Sequence, residues 1–426
     1  MKESSPYVIS RNKATFYSHT PKIAYNQTNV LQINLSSSTA WFDMAAHGLA
    51  FTVHNGDDTE PLQFVSANPA ILFRRAELRC GGVLIDDCTD YNRLCNLFTI
   101  YQSTGKRLQT SYLGFDTGRT MTERATLEIE PQLFNSDEHF SKEIPGGKSK
   151  RVVMTLDLLS LFNQTSWVPA WAINGGIDVR LTLSDPLSVV NLTNPTTSAV
   201  TNSFSYSLQD IAFHIDTCVI DSSLQELYYK QLAEAGRLLI HCKQYSHNVQ
   251  YVSPVGTGDF AVQLARPVSR LSTAIFTMAP NLVVAENRKG RQYCNTFQGY
   301  VKNMEDFEAQ LQLGSTRFPD APIRGMVEAY FRTIDAIGIR NSAAHDIGVD
   351  LESYSTKHFA VMLGVEKVTG QMSSGQNLQG GQECRFSIRN FGDPDETGEE
   401  VAVRCYVALE FDAIIELKAG SCTLLN

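Results

Sequence analysis

Apolar and polar residues alternate with a period of two along several runs of this chain. The runs are residues 31–35, 177–184, 384–388 and 401–411. In the last of them Val401, Val403 and Cys405 alternate with more polar neighbours such as Arg404. Successive side chains of a strand point to opposite faces, so each run predicts a strand with one buried face and one wetter face. Such half-exposed sheets are typical of antiparallel pairing, and the chain is predicted to be mainly β.

Two segments interrupt this pattern with apolar residues at helical spacing. The first begins after Asp90, and the second after Asp320, with Pro322 in its first turn and Gly338 just beyond its end. The predicted apolar faces are Leu94, Leu97, Phe98 and Tyr101 in the first helix, and Val327, Tyr330, Phe331 and Ile334 in the second. Both positions fit the usual start and stop residues of helices.

A third predicted helix lies near the middle of the chain. Ser223 and Glu226 have the spacing of a capping box, and Gly236 stands where a helix should end. Its predicted buried stripe is Leu224, Leu227, Tyr228 and Leu232. Strand-like runs, 211–215 and 238–242, flank it on both sides, so it is interpreted as a connector between two β-rich halves.

The chain length supports the same division, because 426 residues exceed what one hydrophobic core usually serves. The predicted units are an N-terminal arm (1–27), a first β-domain (28–221), a connecting helix (222–236) and a second β-domain (237–426). Long polar loops are expected at 133–150, 186–204, 278–296 and 366–382.

The composition excludes some classes of protein. Hydrophobic residues make up 43% of the chain and charged residues 19%, with a net charge of −9, which excludes a largely disordered chain and argues against broad electrostatic binding of nucleic acid. No apolar run has the length of a membrane span, and the N-terminus does not read as a secretory signal. Residues 1–27 carry Lys2, Arg11, Lys13 and Lys22 against Glu3 alone, so this arm could touch nucleic acid or an acidic neighbour, or be an ordinary tail.

The nine cysteines show no C-x-x-C spacing and several occupy apolar strand positions. They are Cys80, Cys88, Cys95, Cys218, Cys242, Cys294, Cys384, Cys405 and Cys422. Buried reduced thiols of a protein made in the cytosol or nucleus are predicted, and disulfides have no support from the spacing.

No catalytic, cofactor-binding or metal-binding residue is predicted. The histidines form neither H-x-H nor H-E-x-x-H; they are His19, His47, His54, His139, His214, His241, His247, His345 and His358. Asp86, Asp87 and Asp90 could hold Ca²⁺ but lack the EF-hand pattern, and turn or capping roles explain them better. The acidic residues 393–400 are interpreted as a solvated loop. Gly81-Gly82, Gly175-Gly176 and Gly380-Gly381 are predicted tight turns rather than phosphate-binding loops.

Three segments carry a resemblance to a known family. The first runs from Phe73-Arg74-Arg75-Ala76-Glu77-Leu78 through Gly81-Gly82 and Ile85-Asp86-Asp87 to Asp90-Tyr91-Asn92-Arg93-Leu94. The second is the mid-chain segment 210–236, and the third joins Ser374-Gly375-Gln376-Asn377 to the strand-like runs 383–390 and 401–417. In order and spacing they resemble the double jelly-roll major capsid proteins of the polinton-like virus, adintovirus and virophage group.

The resemblance implies two tandem jelly-roll β-sandwiches with a few short helices. It further implies a homotrimer that forms a pseudo-hexagonal capsomer, contacts neighbouring capsomers and builds the icosahedral shell of a double-stranded DNA virus, without enzymatic activity. Penton and minor capsid proteins would be partners, and the virion would be the location, after synthesis in the host cytoplasm or nucleus.

Two other classes are weighed against this reading. A carbohydrate-binding or carbohydrate-cleaving β-sandwich protein would be expected to show a signal peptide and exposed aromatic platforms, whereas this chain has only Trp41, Trp167 and Trp171. Paired carboxylates for glycoside hydrolysis cannot be recognised from sequence, since such pairs are distant in the chain. A two-domain cupin enzyme would need the histidine ligand set that is missing here.

Overall fold

A computed structural model gives the fold of the chain. It describes residues 7–20, 24–26, 29–103, 115, 141, 143–164, 166–191, 203–252, 258–264, 268–280, 297, 305–339, 347, 349–356, 358–368, 374–378, 383–391, 403–418 and 421–425. The acidic residues 393–400 and the Gly380-Gly381 pair lie outside these ranges. The same is true of most residues of the four predicted loops.

Strands before residue 221 form two antiparallel sheets. Their bounds are β1 (Val8–Tyr17), β2 (Val30–Leu35), β3 (Trp41–Asn55), β4 (Phe73–Cys80), β5 (Val83–Thr89), β6 (Ser149–Met154), β7 (Trp167–Pro169), β8 (Ile177–Leu183) and β9 (Tyr206–Ile220). One sheet has the order β1-β9-β3-β6, with β7 also paired to β3, and the other has the order β2-β8-β4-β5. The first strands therefore pair with the last ones, as they do when a chain folds back on itself in Greek-key fashion.

Strands after residue 237 form two further antiparallel sheets. Their bounds are β10 (Leu238–Val252), β11 (Gly258–Leu264), β12 (Leu271–Pro280), β13 (Glu308–Leu313), β14 (Thr316–Arg324), β15 (Val361–Gly364), β16 (Cys384–Phe391), β17 (Val403–Lys418) and β18 (Ser421–Leu425). The orders are β10-β17-β12-β15, with β18 also paired to β17, and β11-β16-β13-β14. Among the described strands, every pairing stays within one half of the chain.

The predicted alternation is confirmed in the strands that line the two cores. Leu31, Ile33 and Leu35 of β2 are fully buried. The apolar positions of β8 and of β16 are buried in the same way: Ile177, Val179, Leu181 and Leu183, then Cys384, Phe386 and Ile388. β17 departs from the prediction, because Tyr406 and Asp412 on its expected polar face are buried as well. Arg93 of the first half of the chain lies over the Tyr406 ring on that face, whereas Arg404 and Glu410 on the same face remain partly exposed.

Five α-helices accompany the sheets within the described residues. They are α1 (Tyr91–Ile100), α2 (Pro186–Val189), α3 (Ser222–Glu234), α4 (Gly325–Ile337) and α5 (Leu351–Thr356). α1 follows Asp90, as predicted, although Asp90 adopts a left-handed conformation (φ 51°) and makes no side-chain cap. α4 ends at Gly338 in the left-handed conformation that favours glycine there.

The predicted start of α4 at Asp320 is wrong. Residues 316–324 are strand β14, which pairs with β13 at the end of its sheet, and the helix begins only at Gly325. A register shift lies between Ala309 and Leu311 of β13, opposite Pro322. Strands at a sheet edge and at bulges tolerate proline, since no ladder hydrogen bond is lost there. Pairing with a distant strand thus overrode a local helix-start pattern.

The cap of α3 is also corrected. Asp221 is the N-cap residue, and its carboxylate accepts a hydrogen bond from the backbone N–H of Ser223. Ser223 lies inside the first turn and donates its hydroxyl to the same carboxylate. The helix therefore begins at Ser222, two residues earlier than a capping box with Ser223 as the N-cap residue would place it. The hydrogen bond from the Ser223 hydroxyl, together with those from the backbone amides of the first turn, holds the pKa of Asp221 below its ordinary value.

Candidate functional site

The two halves of the chain meet along one continuous surface, here called the seam, made by α1 and β5 of the first half and β10, β12 and β17 of the second. β10 lies along β5. α1 is buried at Tyr91 to Leu97 and at Ile100, so it has hardly any solvent-facing side. A helix buried all round must pack against two bodies at once. The single apolar face predicted from the sequence accounts for only one of them.

Arg93 of α1 is the central residue of the seam. It is 2% exposed, and its guanidinium Nη2 donates hydrogen bonds to Thr277 Oγ1 (3.0 Å) and to the backbone oxygen of Met278 (2.9 Å). Its guanidinium carbon lies 4.2 Å from the ring centre of Phe297 and 4.3 Å from that of Tyr406. A buried charge requires such compensation, because removal from water is costly for an ion. Planar guanidinium groups are suited to stacking and bonding in this way.

Three further polar contacts cross the seam to backbone oxygens. Gln244 of β10 donates to Ile85 O (2.8 Å), and Tyr101 donates its hydroxyl to His358 O (2.5 Å). His247 Nδ1 lies 2.5 Å from Thr89 O, which makes Nδ1 the protonated nitrogen of the neutral ring. Burial lowers the pKa of His247, although the charge of Asp90 opposes this.

Aromatic packing fills the space between these polar contacts. The rings of Phe98 from α1 and Tyr245 from β10 meet edge to face at 5.6 Å. Edge-to-face pairs add stability beyond the apolar area they bury. The seam therefore combines apolar packing with directional bonds from at least three elements, and such a surface fixes one relative orientation of the two halves.

The connecting helix α3 makes a different kind of contact. Tyr228 packs on Trp41 at 4.8 Å, Tyr229 packs on Trp171 at 4.4 Å, and Trp41 Nε1 donates to Gln225 Oε1 at 2.7 Å. Trp167 packs against the same cluster, so all three tryptophans gather on the first half rather than forming an exposed platform. The predicted burial of the helix stripe is wrong in part, because Leu227 is 61% exposed and no residue of α3 is fully buried.

The residues considered for metal binding do not converge. Asp86 accepts a hydrogen bond from the backbone of Ser160, whereas Asp87 pairs with Arg75. Within the described residues, no group of three histidine, cysteine or acidic side chains could hold a metal ion. His139 and His345 lie outside the described residues, and His241 is exposed on β10.

The N-terminal segment is more ordered than a flexible arm. Residues Val8–Tyr17 form β1 and pair with β9 along its length. Arg11 forms ion pairs of 2.8 Å with Asp43 of β3 and with Asp216 of β9, so its charge is paired within its own sheet. Lys2, Glu3 and Lys22 lie outside the described residues. In the part of the chain that the structure describes, no helix has the length and apolar character of a membrane span.

Comparison with solved structures gives whole-chain matches to viral capsid proteins. The PBCV-1 virus capsid matches with a TM-score of 0.61 and 13% identity over 100% of this chain and 99% of the other. The Faustovirus major capsid protein matches with 0.61 and 9% over 99% and 92%. The mavirus major capsid protein matches with 0.55 and 8% over 100% and 92%. The chain is a double jelly roll. No protein-family model and no curated protein sequence matches it.

This fold explains the four sheets described above. Each jelly roll contributes two facing sheets, and the seam joins the first jelly roll to the second. Arg93 and Tyr406 lie within segments that carry the family resemblance, but nothing in those segments marks either residue as part of a contact between the two halves, and Thr277 and Phe297 stand in no recognisable motif. α1 carries Asn92, Arg93 and Asn96 among its apolar residues, so its sequence gives no signal that the helix is buried on all sides.

Proposed function

We propose that this chain is a major capsid protein, which forms homotrimeric, pseudo-hexagonal capsomers in the icosahedral shell of a double-stranded DNA virus. The observation that carries the proposal is the fold likeness over the whole chain and nearly the whole length of the matched capsid proteins. In this proposal the chain has no enzymatic role and no cofactor, and its location is the virion. Synthesis in the host cell, contact with neighbouring capsomers, and penton and minor capsid partners belong to the same proposal.

The domain organisation is part of this proposal. The first jelly roll takes residues 28–221 together with β1, residues 222–236 connect, and residues 237–426 form the second jelly roll. The separation of β9 and β10 into different sheets on either side of α3 supports these bounds. A trimer of such chains presents six jelly rolls, so three chains give a nearly sixfold outline.

The seam supports the role of a shell component. A capsomer can tile a surface only if its six jelly rolls keep fixed positions, and Arg93, Gln244 and Tyr101 bond the two jelly rolls of one chain directly. The net charge of −9 agrees with a protein whose main contacts are with other protein subunits rather than with packaged DNA.

Mass photometry of the purified chain, with negative-stain electron microscopy of the same sample, tests the proposal. We expect a species of three times the 47.3 kDa chain mass and particles with a hexagonal outline. Trimer interfaces of capsid shells should bury well over about 1,000 Å², so the trimer should persist on dilution. A monomer at every salt concentration and up to high micromolar protein would overturn the proposal.

A further inference from the structure

The two jelly rolls share one plan of strands and helices. The sheet order β1-β9-β3-β6 of the first corresponds to β10-β17-β12-β15 of the second, and β2-β8-β4-β5 corresponds to β11-β16-β13-β14. By this correspondence α1 is the counterpart of α4. Each helix follows the end strand of a sheet, β5 or β14, at a residue in the left-handed conformation, Asp90 (φ 51°) or Gly325 (φ 71°). The surroundings of one helix can therefore be compared with those of the other.

In the seam, α1 lies on the outer face of the sheet β10-β17-β12-β15. Thr277 and Tyr406 are partners across β12 and β17, and both contact Arg93 of α1. Phe276, next to Thr277 in the chain, points the other way, because its ring stacks at 4.7 Å on Phe386 of the facing sheet. The core of the second jelly roll is therefore on one side of this sheet, and α1 covers the other side.

The helix α4 occupies the same place in its own jelly roll but is covered on one side only. Its jelly roll buries Met326, Ala329 and Thr333. Val327 is 66% exposed and Phe331 is 42% exposed. At 3.6 residues per turn these two apolar side chains lie opposite Ala329. A helix with apolar residues on two opposite sides is suited to packing between two bodies, as α1 does.

We propose that α4 packs on the outer face of the sheet β1-β9-β3-β6 of a second copy of this chain, so that the contact between two chains repeats the seam within one chain. This contact rests on the homotrimer proposed above and names the surfaces through which its chains meet. The contact is heterologous, because a helix of one chain meets a sheet of the next, and such contacts close into rings. Three chains would then alternate three seams with three contacts of α4.

The outer face of that sheet offers apolar surface to the helix. Tyr17 of β1, Ala212 of β9 and Ala50 of β3 lie side by side in register. Their chain neighbours Phe51 and Phe213 are fully buried in the core, so these three side chains point outwards. The Tyr17 ring is 64% exposed, and the two alanines beside it leave a shallow recess. The outward apolar residues of α4 are of a kind to fill it.

The double variant Val327→Glu/Phe331→Glu tests the helix side of the contact. Both positions are exposed in the single chain, so the far-UV circular dichroism spectrum should not change, whereas burial of unpaired carboxylates in a contact is costly. We expect the concentration at which half of the chains are trimeric to rise by about tenfold or more, measured by mass photometry and sedimentation. The matched control is Leu227→Glu on α3, where the side chain is 61% exposed, and it should leave the trimer intact.

Cross-linking tests which surfaces meet. A chain with both Tyr17→Cys and Val327→Cys, treated with a short bismaleimide, should give covalent dimers and trimers on a reducing denaturing gel. Chains with either substitution alone should give neither product, because the contact joins unlike surfaces. Inter-chain products from Val327→Cys alone would show that α4 meets α4, and would overturn the proposal. A trimer of the doubly substituted chain that does not cross-link would do the same.

The capsomer proposal and the placement of α4 can fail separately. An unaltered chain that remains monomeric contradicts both. An unaltered chain that forms trimers, together with a Val327→Glu/Phe331→Glu variant that assembles at the same concentration, contradicts only the placement of α4. Loss of the trimer to the same extent in Leu227→Glu also contradicts that placement, since any added charge would then have the effect.

Discussion

The two jelly rolls are joined by the connecting helix α3 and by the seam. The element that links them in sequence is the less buried of the two. α3 connects the halves covalently, yet none of its residues is fully buried and its aromatic contacts are with the first jelly roll. α1 lies far from the connection in sequence, yet it is buried almost all round and bonds to the second jelly roll through Arg93.

The difference indicates which contact sets the relative position of the halves. A covalent connector limits separation but leaves orientation free unless it is itself packed on both sides. The seam supplies that packing, with hydrogen bonds that run from α1 and β10 to backbone oxygens of the opposite half. Stability of the whole chain should therefore depend strongly on α1 and weakly on the outer face of α3.

The largest expected effect is at Arg93. Arg93→Ala removes two hydrogen bonds from a buried guanidinium and empties the space between Phe297 and Tyr406, so the free energy of unfolding should fall by about 3–5 kcal/mol. Arg93→Met refills part of that space without the bonds and should lose less. Urea unfolding measures both variants. The control is Arg332→Met, which removes an i,i+4 ion pair with Glu328 and a cation–π contact with Phe331 on α4 and should cost about 1 kcal/mol or less. Equal midpoints for Arg93→Ala and the control would show that the seam does not fix the halves.

A smaller effect is expected at Tyr101. Tyr101→Phe keeps the ring and removes only the hydrogen bond to His358 O across the seam, which should lower the free energy of unfolding by about 0.5–1.5 kcal/mol. Tyr17→Phe makes the same chemical change on a side chain that is 64% exposed and should change nothing measurable. If both variants unfold alike, the contact of Tyr101 with the second jelly roll is not a stabilising one.

Acid should weaken the seam through His247. Burial places its folded-state pKa below the ordinary value of 6.5, so the unfolded chain binds the proton more readily in the interval between the two values. The contribution of the neutral ring is complete above pH 6.5 and is lost as the pH falls through the lower folded-state value. His47, which is buried between Phe162 and Phe213, adds a change of the same sign within the first jelly roll.

Thermal unfolding between pH 7 and about pH 5 measures this dependence. His247→Gln should make the melting temperature less sensitive to pH than in the unaltered chain, while the His47 contribution persists. A pH profile that His247→Gln leaves unchanged would remove His247 from the acid response.

The sequence allowed the core faces of the strands to be predicted, because alternation in β2, β8 and β16 is a local property of the chain. It did not allow the seam to be predicted. The burial of Arg93 depends on Thr277, Phe297 and Tyr406, which are distant in sequence, and an arginine is ordinarily assigned to the surface. The second face of β17 was misread for the same reason, since Arg93, which lies over the Tyr406 ring on it, comes from the other half.

The exact residues at which helices start were also beyond prediction from the sequence. At α3, Asp221, Ser222 and Ser223 are all good capping residues, and local preference alone does not choose among them. At β14, Asp320 and Pro322 matched a helix start, but pairing with β13 stabilised a strand instead. In both cases the kind of structural boundary was recognised, and its exact position was decided by contacts that the local pattern does not contain.

The smallest expected effects are those of substitutions in α3, and they test whether this helix contributes less to stability than the seam does. Leu227→Ala truncates a side chain that is mostly in water, so it leaves no cavity and should change the free energy of unfolding by no more than about 0.5 kcal/mol. Asp221→Ala removes the cap that the backbone of Ser223 uses, and should lower the melting temperature more than Leu227→Ala does, although far less than Arg93→Ala. Leu232 is half-buried and packs against the core, so Leu232→Ala should lower the melting temperature more than Leu227→Ala and less than Arg93→Ala. A loss at Leu227 as large as that at Arg93 would mean that the outer face of α3 is covered in the folded protein, and the connector would then share the role assigned to the seam.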